Sequence, residues 1–345
     1  MLRQYLLLIR LPNLFTVPSN ILTGYFTVIP ADNANILQLL CLIFSSVLLY
    51  MSGIILNDYF DIEVDRKERP FRPLSSGRIT KQKALLTAII SIIAANLLAF
   101  VVNWTSIVIS ASITCIIIAY DYRLKNNIII NPIAMGSARF LNVILGASPV
   151  LGLFVIGHYS LLMILLFIAL SLFLYVAAIS IISRKEVTTM ALPLASYRMP
   201  IFISFSIIFS IIVSILVVGL LGFFRTPFIF NLVLFVIIMT ITFRHLMIGK
   251  VATKAKGKRA VNRKYLDIVS SDTSNNNNIH SINNYRNNKN NYSILRIQSA
   301  IKTMVLSIII LDSVFISGIG GIYYGMATLL LMVPPILLAK KFYVT

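Results

Sequence analysis

Acidic residues and cysteines are both scarce in this chain. Only 11 of its 345 residues are Asp or Glu, against 30 Lys and Arg, and only two are Cys. Both cysteines fall inside apolar runs, so the sequence offers neither a disulfide framework nor a cysteine-based metal site. Charged residues of either sign make up 12% of the chain, whereas 58% of the residues are hydrophobic. This composition excludes a soluble globular domain and indicates a membrane protein.

Ten apolar runs are long enough to cross a bilayer, whose hydrocarbon core needs about 20 helical residues. They are residues 13–30, 36–56, 84–102, 104–120, 132–156, 159–182, 200–222, 227–247, 301–320 and 322–339. Unbroken apolar runs exclude the alternating pattern of a membrane β-barrel. We therefore expect an all-α polytopic membrane protein, with residues 1–345 forming one transmembrane domain. Nine or ten spans are compatible with the sequence, because the glycines around residue 320 suit either a turn or a kink.

The net charge of +19 would suit a nucleic-acid-binding protein, but the positions of the basic residues argue against that class. The segments after the second, fourth, sixth and eighth spans hold 7, 2, 3 and 10 Lys and Arg, and those after spans 1, 3, 5 and 7 hold only Arg225. This is the positive-inside asymmetry. It predicts the lipid bilayer rather than nucleic acid as the partner. It also predicts that the N-terminus lies on the cytoplasmic or stromal side of a bacterial inner membrane or an organelle membrane such as that of a plastid.

One stretch, residues 250–293, differs in composition from the rest of the chain. It begins with a basic cluster and becomes rich in Asn. Such a segment buries too little apolar surface to offset the entropy of ordering it, so we expect a disordered cytoplasmic loop inserted in the transmembrane domain. Its basic part is open to two interpretations: a solvated positive-inside loop or a contact with anionic lipids.

Nearly half of the acidic residues lie directly behind the second span. Five of the eleven fall within residues 58–68: Asp58, Asp61, Glu63, Asp65 and Glu68. If the helix continues past the membrane, positions three and four apart share one face. That face then carries four oxygen-bearing side chains: Asn57, Asp58, Asp61 and Asp65. Pro70 should end this helix, and Thr80 should cap the next one.

The acidic face suggests a metal site. Carboxylates this close together repel one another, and a multivalent cation is the simplest group that relieves the repulsion. An all-oxygen ligand set suits a partly hydrated Mg²⁺ and does not suit zinc. Basic side chains follow at once: Arg66, Arg69, Arg72 and Arg78. Metal-binding carboxylates beside guanidinium groups suit a diphosphate. The alternative is a purely structural cluster of ion pairs.

These residues resemble a known motif. The pattern Asn57-Asp58-x-x-Asp61-x-x-x-Asp65, followed by residues 68–77 (ERPFRPLSSG), is similar to the first aspartate-rich motif of the UbiA family of intramembrane prenyltransferases. The segment Arg10-Leu11-Pro12-Asn13 resembles the start of that family, and the span pattern fits nearly all of the chain outside the Asn-rich loop. The resemblance implies a bundle of about nine helices around a central cavity. It also implies transfer of an isoprenyl group from a prenyl diphosphate to a hydrophobic, usually aromatic, acceptor.

The same resemblance implies the roles of the site residues. Magnesium would be bound by Asn57, Asp58, Asp61 and Asp65, of which Asp61 and Asp65 would be catalytic. The loop after the fourth span, residues 120–125, resembles the family's Tyr…Lys segment with one extra residue between them, so Lys125 is predicted to bind the diphosphate and to act in catalysis. An interfacial Tyr/Arg/Lys anchor is the alternative for that loop. The other predicted diphosphate-binding residues near the motif are Arg66, Arg69 and Arg72.

The second motif of the family departs from its usual form in this chain. Where relatives have D-x-x-x-D after the sixth span, the loop here reads Ser183-Arg184-Lys185-Glu186. We predict Glu186 as a metal ligand, and Arg184 and Lys185 as diphosphate-binding residues. This form, together with residues 135–142 and Asp312, resembles the EboC-like branch of the family.

Three further candidates, Arg139, Asp121 and Asp312, lie within or at the end of apolar runs. Arg139, inside an apolar span, should face a cavity or a partner, either Asp312 or the diphosphate, and we predict that it binds the diphosphate. Asp121 is a candidate general base for the acceptor. Two other functions are compatible with the sequence: a non-catalytic prenyl-lipid-binding protein of the same fold, and a secondary transporter that uses Arg139 and Asp312 for coupling.

Overall fold

A computed structural model describes residues 2–151, 159–188, 198–246 and 277–342, and over these ranges it contains helices and no strands. The all-α prediction is therefore confirmed. The helices are α1 Leu2–Leu8, α2 Leu11–Leu14, α3 Thr16–Val28, α4 Ile36–Phe60, α5 Ile62–Glu68, α6 Lys81–Val102, α7 Trp104–Tyr122, α8 Ile130–Leu151, α9 Tyr159–Thr188, α10 Arg198–Leu220, α11 Phe228–Leu246, α12 Asn277–Gly320, α13 Ile322–Leu329 and α14 Val333–Phe342.

Eight helices of the described ranges are long and apolar enough to span a membrane: α4, α6, α7, α8, α9, α10, α11 and α12. The first and last apolar runs of the sequence are interrupted instead. Residues 13–30 hold the end of α2 and the 13-residue α3, and residues 322–339 are divided between α13, a short 3-10 turn and α14. Proline is present at both interruptions: Pro18 lies in the first turn of α3 and Pro334 in the first turn of α14, where backbone N–H groups have no partner within the helix.

Small residues let α3 and α8 approach each other closely. A Cβ atom added at Gly24 would overlap the carbonyl oxygen of Val143, and one added at Gly146 would overlap that of Ile21. Close backbone contact through glycine is a common way of packing helices in lipid, where van der Waals contact replaces the hydrophobic effect. The buried segment of α12 packs against α3 and α9, so α3, α8, α9 and α12 form the centre of the bundle.

A second, smaller apolar cluster lies beneath the acidic segment. Ile55 and Leu56 of α4, Ile62 of α5, Leu74 of the following loop and Ala84 of α6 are all buried in it. This cluster fixes the end of α4, α5 and the loop 69–80 against one another. The backbone that carries the acidic side chains is therefore held in place by apolar packing.

The acidic segment is not one continuous helix, which corrects the prediction for residues 57–68. The helix is interrupted at Asp61, whose backbone lies at φ −90° and ψ 6°. The pattern of i+4 hydrogen bonds survives the interruption: Asp61 N donates to Asn57 O at 3.0 Å, and Asp65 N donates to Asp61 O at 2.8 Å. The predicted stripe is thus retained. Helix α5 ends at Glu68, just before Pro70, and Thr80 caps α6 by accepting from Lys83 N, as predicted.

The Asn-rich stretch is only partly described. Residues 250–276 lie outside the described ranges, so their disorder stays a prediction. Residues 277–293, in contrast, form the first part of α12, where the sequence predicts the end of a disordered loop. Asn is a poor helix former, so composition gives no account of this extension.

Candidate active site

The acidic segment lies where four parts of the chain meet at one end of the bundle. The ends of α4 and α7, the loop after α5 and the junction between α1 and α2 contribute side chains there. Helices α4 and α7 pack side by side, as shown by the contact of Gly53 with the Ile117 side chain and of the Phe60 and Tyr122 rings, 6.2 Å apart. Their last turns therefore reach the same place.

Asp58 and Asp65 share one guanidinium group. Arg72 Nη1 donates to Asp58 Oδ1 at 3.1 Å and to Asp65 Oδ2 at 2.6 Å. A second guanidinium, that of Arg10, donates from Nη2 to Asp58 Oδ1 at 2.9 Å, and Arg69 lies 4.0 Å from Asp65 Oδ1. Both carboxylates are buried, so these are charge-assisted bonds with little screening by water.

Burial perturbs the ionisation of this group of residues. Burial raises the pKa of Asp65 above its ordinary value, and the adjacent Arg72 opposes that rise. Burial also lowers the pKa of Arg72, and the nearby positive charge of Arg10 lowers it further. Positive and negative side chains are thus paired at the end of the membrane-spanning helices, where burying either charge alone would cost free energy.

Arg10 was not among the predicted site residues. Within the described ranges it is the one non-glycine residue with a positive φ, 49°, and it stands at the N-terminus of α2. Strained backbone of this kind concentrates at functional sites, where the surrounding contacts hold it. The sequence signal that could have identified it is the basic residue directly before the Leu11-Pro12 helix start.

Lys125 contacts the acidic segment although it lies 64 positions after Asp61 in the sequence. Its Nζ donates to Asp61 Oδ1 at 2.6 Å, which links the short 3-10 turn after α7 to the end of α4. Asn131, at the start of α8, holds this turn in place: its Nδ2 donates to Lys125 O at 3.0 Å and to the Tyr120 hydroxyl at 3.2 Å, and its Oδ1 accepts from Ser180 on α9. Sequence reasoning missed Asn131, whose signal is a lone amide beside Pro132 at the start of a span.

These ion pairs correct one step of the metal argument. The repulsion among the carboxylates does not require a multivalent cation, because Arg10, Arg72 and Lys125 supply positive charge. Accordingly, the described part of the chain contains no group of three or more His, Cys, Asp or Glu side chains whose present arrangement could bind a metal ion. The predicted ligands Asn57, Asp58, Asp61 and Asp65 are adjacent, but three of them are occupied by basic partners.

The donor atoms nevertheless fit magnesium. The side chain of Asn57 makes no hydrogen bond to the described residues and is half-buried. Asp121, in the last turn of α7, is 2% exposed, and its Oδ1 atom accepts no hydrogen bond from them. A buried carboxylate oxygen without a donor is costly, and a hard cation is the partner that such oxygens prefer. The site thus combines basic groups for phosphate with spare oxygen ligands.

The other predicted residues fall in different surroundings. Arg66 pairs with Glu63 at 3.1 Å on the surface, where its side chain is 56% exposed, and it does not join the buried carboxylates. Helix α9 continues through Thr188, so the segment expected to be a loop at 183–186 is helical. The side chains of Arg184, Lys185 and Glu186 lie outside the described residues, and their roles stay predictions.

Arg139 reaches Asp312 only through an intermediary. Its Nη1 donates to Asn20 Oδ1 at 2.8 Å, and Asn20 Nδ2 donates to Asp312 Oδ2 at 2.7 Å. Its other contacts are Thr16, through Oγ1 at 3.0 Å, and the ring of Tyr50, 5.5 Å away. Asp312, one of the two candidate partners of Arg139, is therefore linked to it only indirectly, and the role of Arg139 in diphosphate binding stays a prediction. Sequence reasoning missed the three polar residues that surround the guanidinium, because each looks ordinary within an apolar run.

Several known proteins are similar to this chain in sequence. A digeranylgeranylglyceryl phosphate synthase of Methanothrix thermoacetophila is 38% identical over 112 residues, which are 31% of this chain and 42% of that protein. Another, from Thermococcus sibiricus, is 32% identical over 133 residues, covering 38% of this chain and 48% of the relative. The chain spans less than half the length of these curated relatives. These relatives do not test the predicted EboC-like branch, which stays a prediction.

Solved structures and a family profile complete the comparison. A structure of digeranylgeranylglyceryl phosphate synthase matches with a TM-score of 0.57 at 17% identity and covers 92% of this chain and 98% of its own. A UbiA homolog from Archaeoglobus fulgidus, bound to DMAPP and Mg²⁺, matches with a TM-score of 0.51 at 15% identity, covering 94% and 99%. These likenesses show a shared fold. The profile of the UbiA prenyltransferase family matches residues 19–264, well over half of the chain. The chain therefore belongs to the UbiA prenyltransferase family.

Proposed function

We propose that this protein transfers an isoprenyl group from a prenyl diphosphate to an acceptor within the membrane, in a reaction that requires Mg²⁺. The observation that carries the proposal is the contact of Lys125 with Asp61 inside the cluster of buried carboxylates and guanidinium groups. Family membership supports it, as do the names of the relatives and the DMAPP and Mg²⁺ bound by a UbiA homolog of the same fold.

The basic residues of the site are suited to hold a diphosphate. Arg10, Arg72 and Lys125 now bond to carboxylates, and a diphosphate offers the same kind of charged oxygen to the same donors. We propose that these side chains turn to the diphosphate when it arrives. The released carboxylates Asp58, Asp61 and Asp65 are then free, with Asn57 and Glu186, to hold magnesium. When bound, Mg²⁺ supplies positive charge that stabilises the departing diphosphate.

The reaction itself needs few protein groups. The allylic C–O bond breaks, and its electron pair leaves with the diphosphate, which Arg72 and Lys125 stabilise. A nucleophilic atom of the acceptor forms the new bond to the allylic carbon, and the proton that it loses passes to the released diphosphate. The apolar helices hold the isoprenyl tail and keep water from the reacting carbon.

The acceptor class is the finer part of the proposal. The family resemblance implies an aromatic acceptor, whereas the relatives that match are named for a prenylated glyceryl phosphate product. The first would react through a ring atom, and the second would react through a hydroxyl oxygen. We propose an aromatic acceptor and place both classes in the test.

The test uses the full chain in membranes. Labelled farnesyl, geranylgeranyl and longer diphosphates are offered with aromatic and glyceryl phosphate acceptors, with Mg²⁺ or with EDTA. We expect diphosphate release and prenylated product only with Mg²⁺, loss of both in Asp61→Ala, and retention of both in Glu63→Ala, a matched acidic control on the exposed side. Tight binding without release would replace the enzyme with a prenyl-lipid-binding protein. Movement of unreacted substrate across sealed vesicles would support a transporter.

A further inference from the structure

Asp121 is a buried carboxylate that does not belong to the aspartate-rich motif. It lies in the last turn of α7, 63 positions after Asp58, and only 2% of it is exposed. Its Oδ1 atom is fully buried and accepts no hydrogen bond from the residues that the structure describes. Burying such an oxygen without a donor costs free energy, and groups of this kind recur where a ligand completes the site.

Helix packing places Asp121 opposite the motif. The Gly53 position on α4 contacts the side chain of Ile117 on α7, and the rings of Phe60 and Tyr122 contact each other nearer the helix ends. The two helices therefore run in the same direction side by side. Moving four residues along each helix from the first contact stays on the same face. This step leads from Gly53 to Asn57 and from Ile117 to Asp121.

The charges around Asp121 favour a divalent cation beside it when a diphosphate is bound. Lys125 attracts the Asp121 carboxylate, whereas Asp61 and Asp58 repel it, and Arg10 attracts it more weakly than Lys125 does. The ammonium group of Lys125 is already bonded to Asp61 at 2.6 Å. If Lys125 and Arg10 turn to a diphosphate, Asp121, Asp61 and Asp58 would be left as close like charges in a buried place. A divalent cation between α4 and α7 offsets that repulsion and gives the free Oδ1 atom its partner.

We propose that Asp121 is a further ligand of the divalent cation, supplied by α7 and facing Asn57 and Asp61 of α4. This inference rests on the proposed function, because it places the ligand at the same site. Asp121 would add a carboxylate ligand to a site whose second motif supplies only one, Glu186. Two interpretations compete with it: that Asp121 merely orients Lys125, and that it is the general base predicted from the sequence.

The test measures metal binding rather than turnover. Mn²⁺ binding to the purified full-length protein is followed by electron paramagnetic resonance, with and without inorganic diphosphate. We expect both Asp121→Asn and Asp61→Asn to weaken Mn²⁺ binding by about tenfold or more, and Asp121→Glu to restore part of it. Asp32→Asn, which changes an exposed carboxylate at the opposite end of α4, is the matched control and should bind as the unaltered protein does.

Two further results separate the possible failures. Unaltered Mn²⁺ affinity in Asp121→Asn, with weakened affinity in Asp61→Asn, overturns this inference and leaves the proposed function standing. Absence of Mn²⁺ binding in the unaltered protein overturns both. A measurement on the unaltered protein avoids any folding defect of the variants: Fe²⁺ with ascorbate and peroxide should cleave the backbone near residues 119–123 as well as near 57–65. Cleavage confined to 57–65 would contradict the proposal.

Discussion

Lys125 Nζ lies 2.6 Å from Asp61 Oδ1 and so joins the turn after α7 to the break between α4 and α5. If this ammonium group also binds the diphosphate, Lys125→Met should lower kcat/KM for the prenyl diphosphate by about a hundredfold, because one preorganised positive charge is lost. Steady-state kinetics in proteoliposomes measure the effect. Lys83→Met, which removes an exposed lysine of α6, should leave the kinetics unchanged. Equal kinetics for both variants would remove Lys125 from the site.

Arg72 should matter for stability as well as for binding. It bridges Asp58 and Asp65, both buried, and Arg72→Met would leave these carboxylates with fewer positive partners. We expect the free energy of unfolding to fall by about 3 kcal/mol, the cost of breaking a buried ion pair. Unfolding in mixed micelles of increasing denaturing-detergent content measures it.

The exposed pair of Arg66 with Glu63 provides the comparison for Arg72. Both side chains are more than half exposed, so Arg66→Met should change the free energy of unfolding by less than about 1 kcal/mol. The contrast would fail if Arg66→Met destabilised the protein as much as Arg72→Met.

Asn131 is expected to act through Lys125. Asn131→Leu removes the hydrogen bonds to Lys125 O and to the Tyr120 hydroxyl, so the turn that carries Lys125 should shift. Because displacements of about 1 Å can cost about a hundredfold in rate, we expect kcat/KM to fall by about tenfold to a hundredfold. Ser180→Ala removes only the bond on the other side of the amide and should have a smaller effect. A merely structural role would lower stability in both variants and leave the KM for the prenyl diphosphate unchanged.

The contact between α3 and α8 should not tolerate a methyl group. Gly146→Ala would place a Cβ atom against the Ile21 carbonyl oxygen, and backbone cannot yield as a side chain can. We expect a loss of about 1–3 kcal/mol in stability. Gly53→Ala is the matched control, since its Cβ would lie 3.4 Å from the side chain of Ile117, an ordinary contact. Thermal unfolding of the two variants in one detergent makes the comparison.

The buried network around Arg139 should behave as one unit. Asn20 connects Arg139 to Asp312, so removing either charged group leaves the other without its compensating partner. A double-mutant cycle of Arg139→Met and Asp312→Asn should give an interaction free energy of about 0.5–3 kcal/mol. Additive effects would show that the two residues are independent. Loss of inorganic diphosphate binding in Arg139→Met, without loss of stability, would instead support the predicted role in diphosphate binding.

Features that depend on neighbouring residues could be predicted from the sequence. Eight of the ten predicted spans follow from the lengths of apolar runs, because an unbroken apolar run in lipid satisfies its own backbone hydrogen bonds only as a helix. Pro70 and Thr80 determined where α5 ends and α6 begins, because a missing N–H and a capping hydroxyl act locally. The acidic stripe also follows from spacing alone, and it carries the resemblance that identified the family.

Partners distant in sequence could not be predicted in the same way. Arg10 and Asp58 are 48 residues apart, Lys125 and Asp61 are 64 apart, and Asn20 and Asp312 are 292 apart. Spacing along the chain shows which face of a helix a residue occupies but does not show which helix lies opposite. The sequence alone determined a helical membrane protein with an acidic stripe at one boundary. The packing of α4 against α7, and of the α1–α2 junction and the loop after α5 against the end of α4, decided which charges neutralise that stripe and left Asp121 buried beside it. Only packing brings distant side chains within bonding distance.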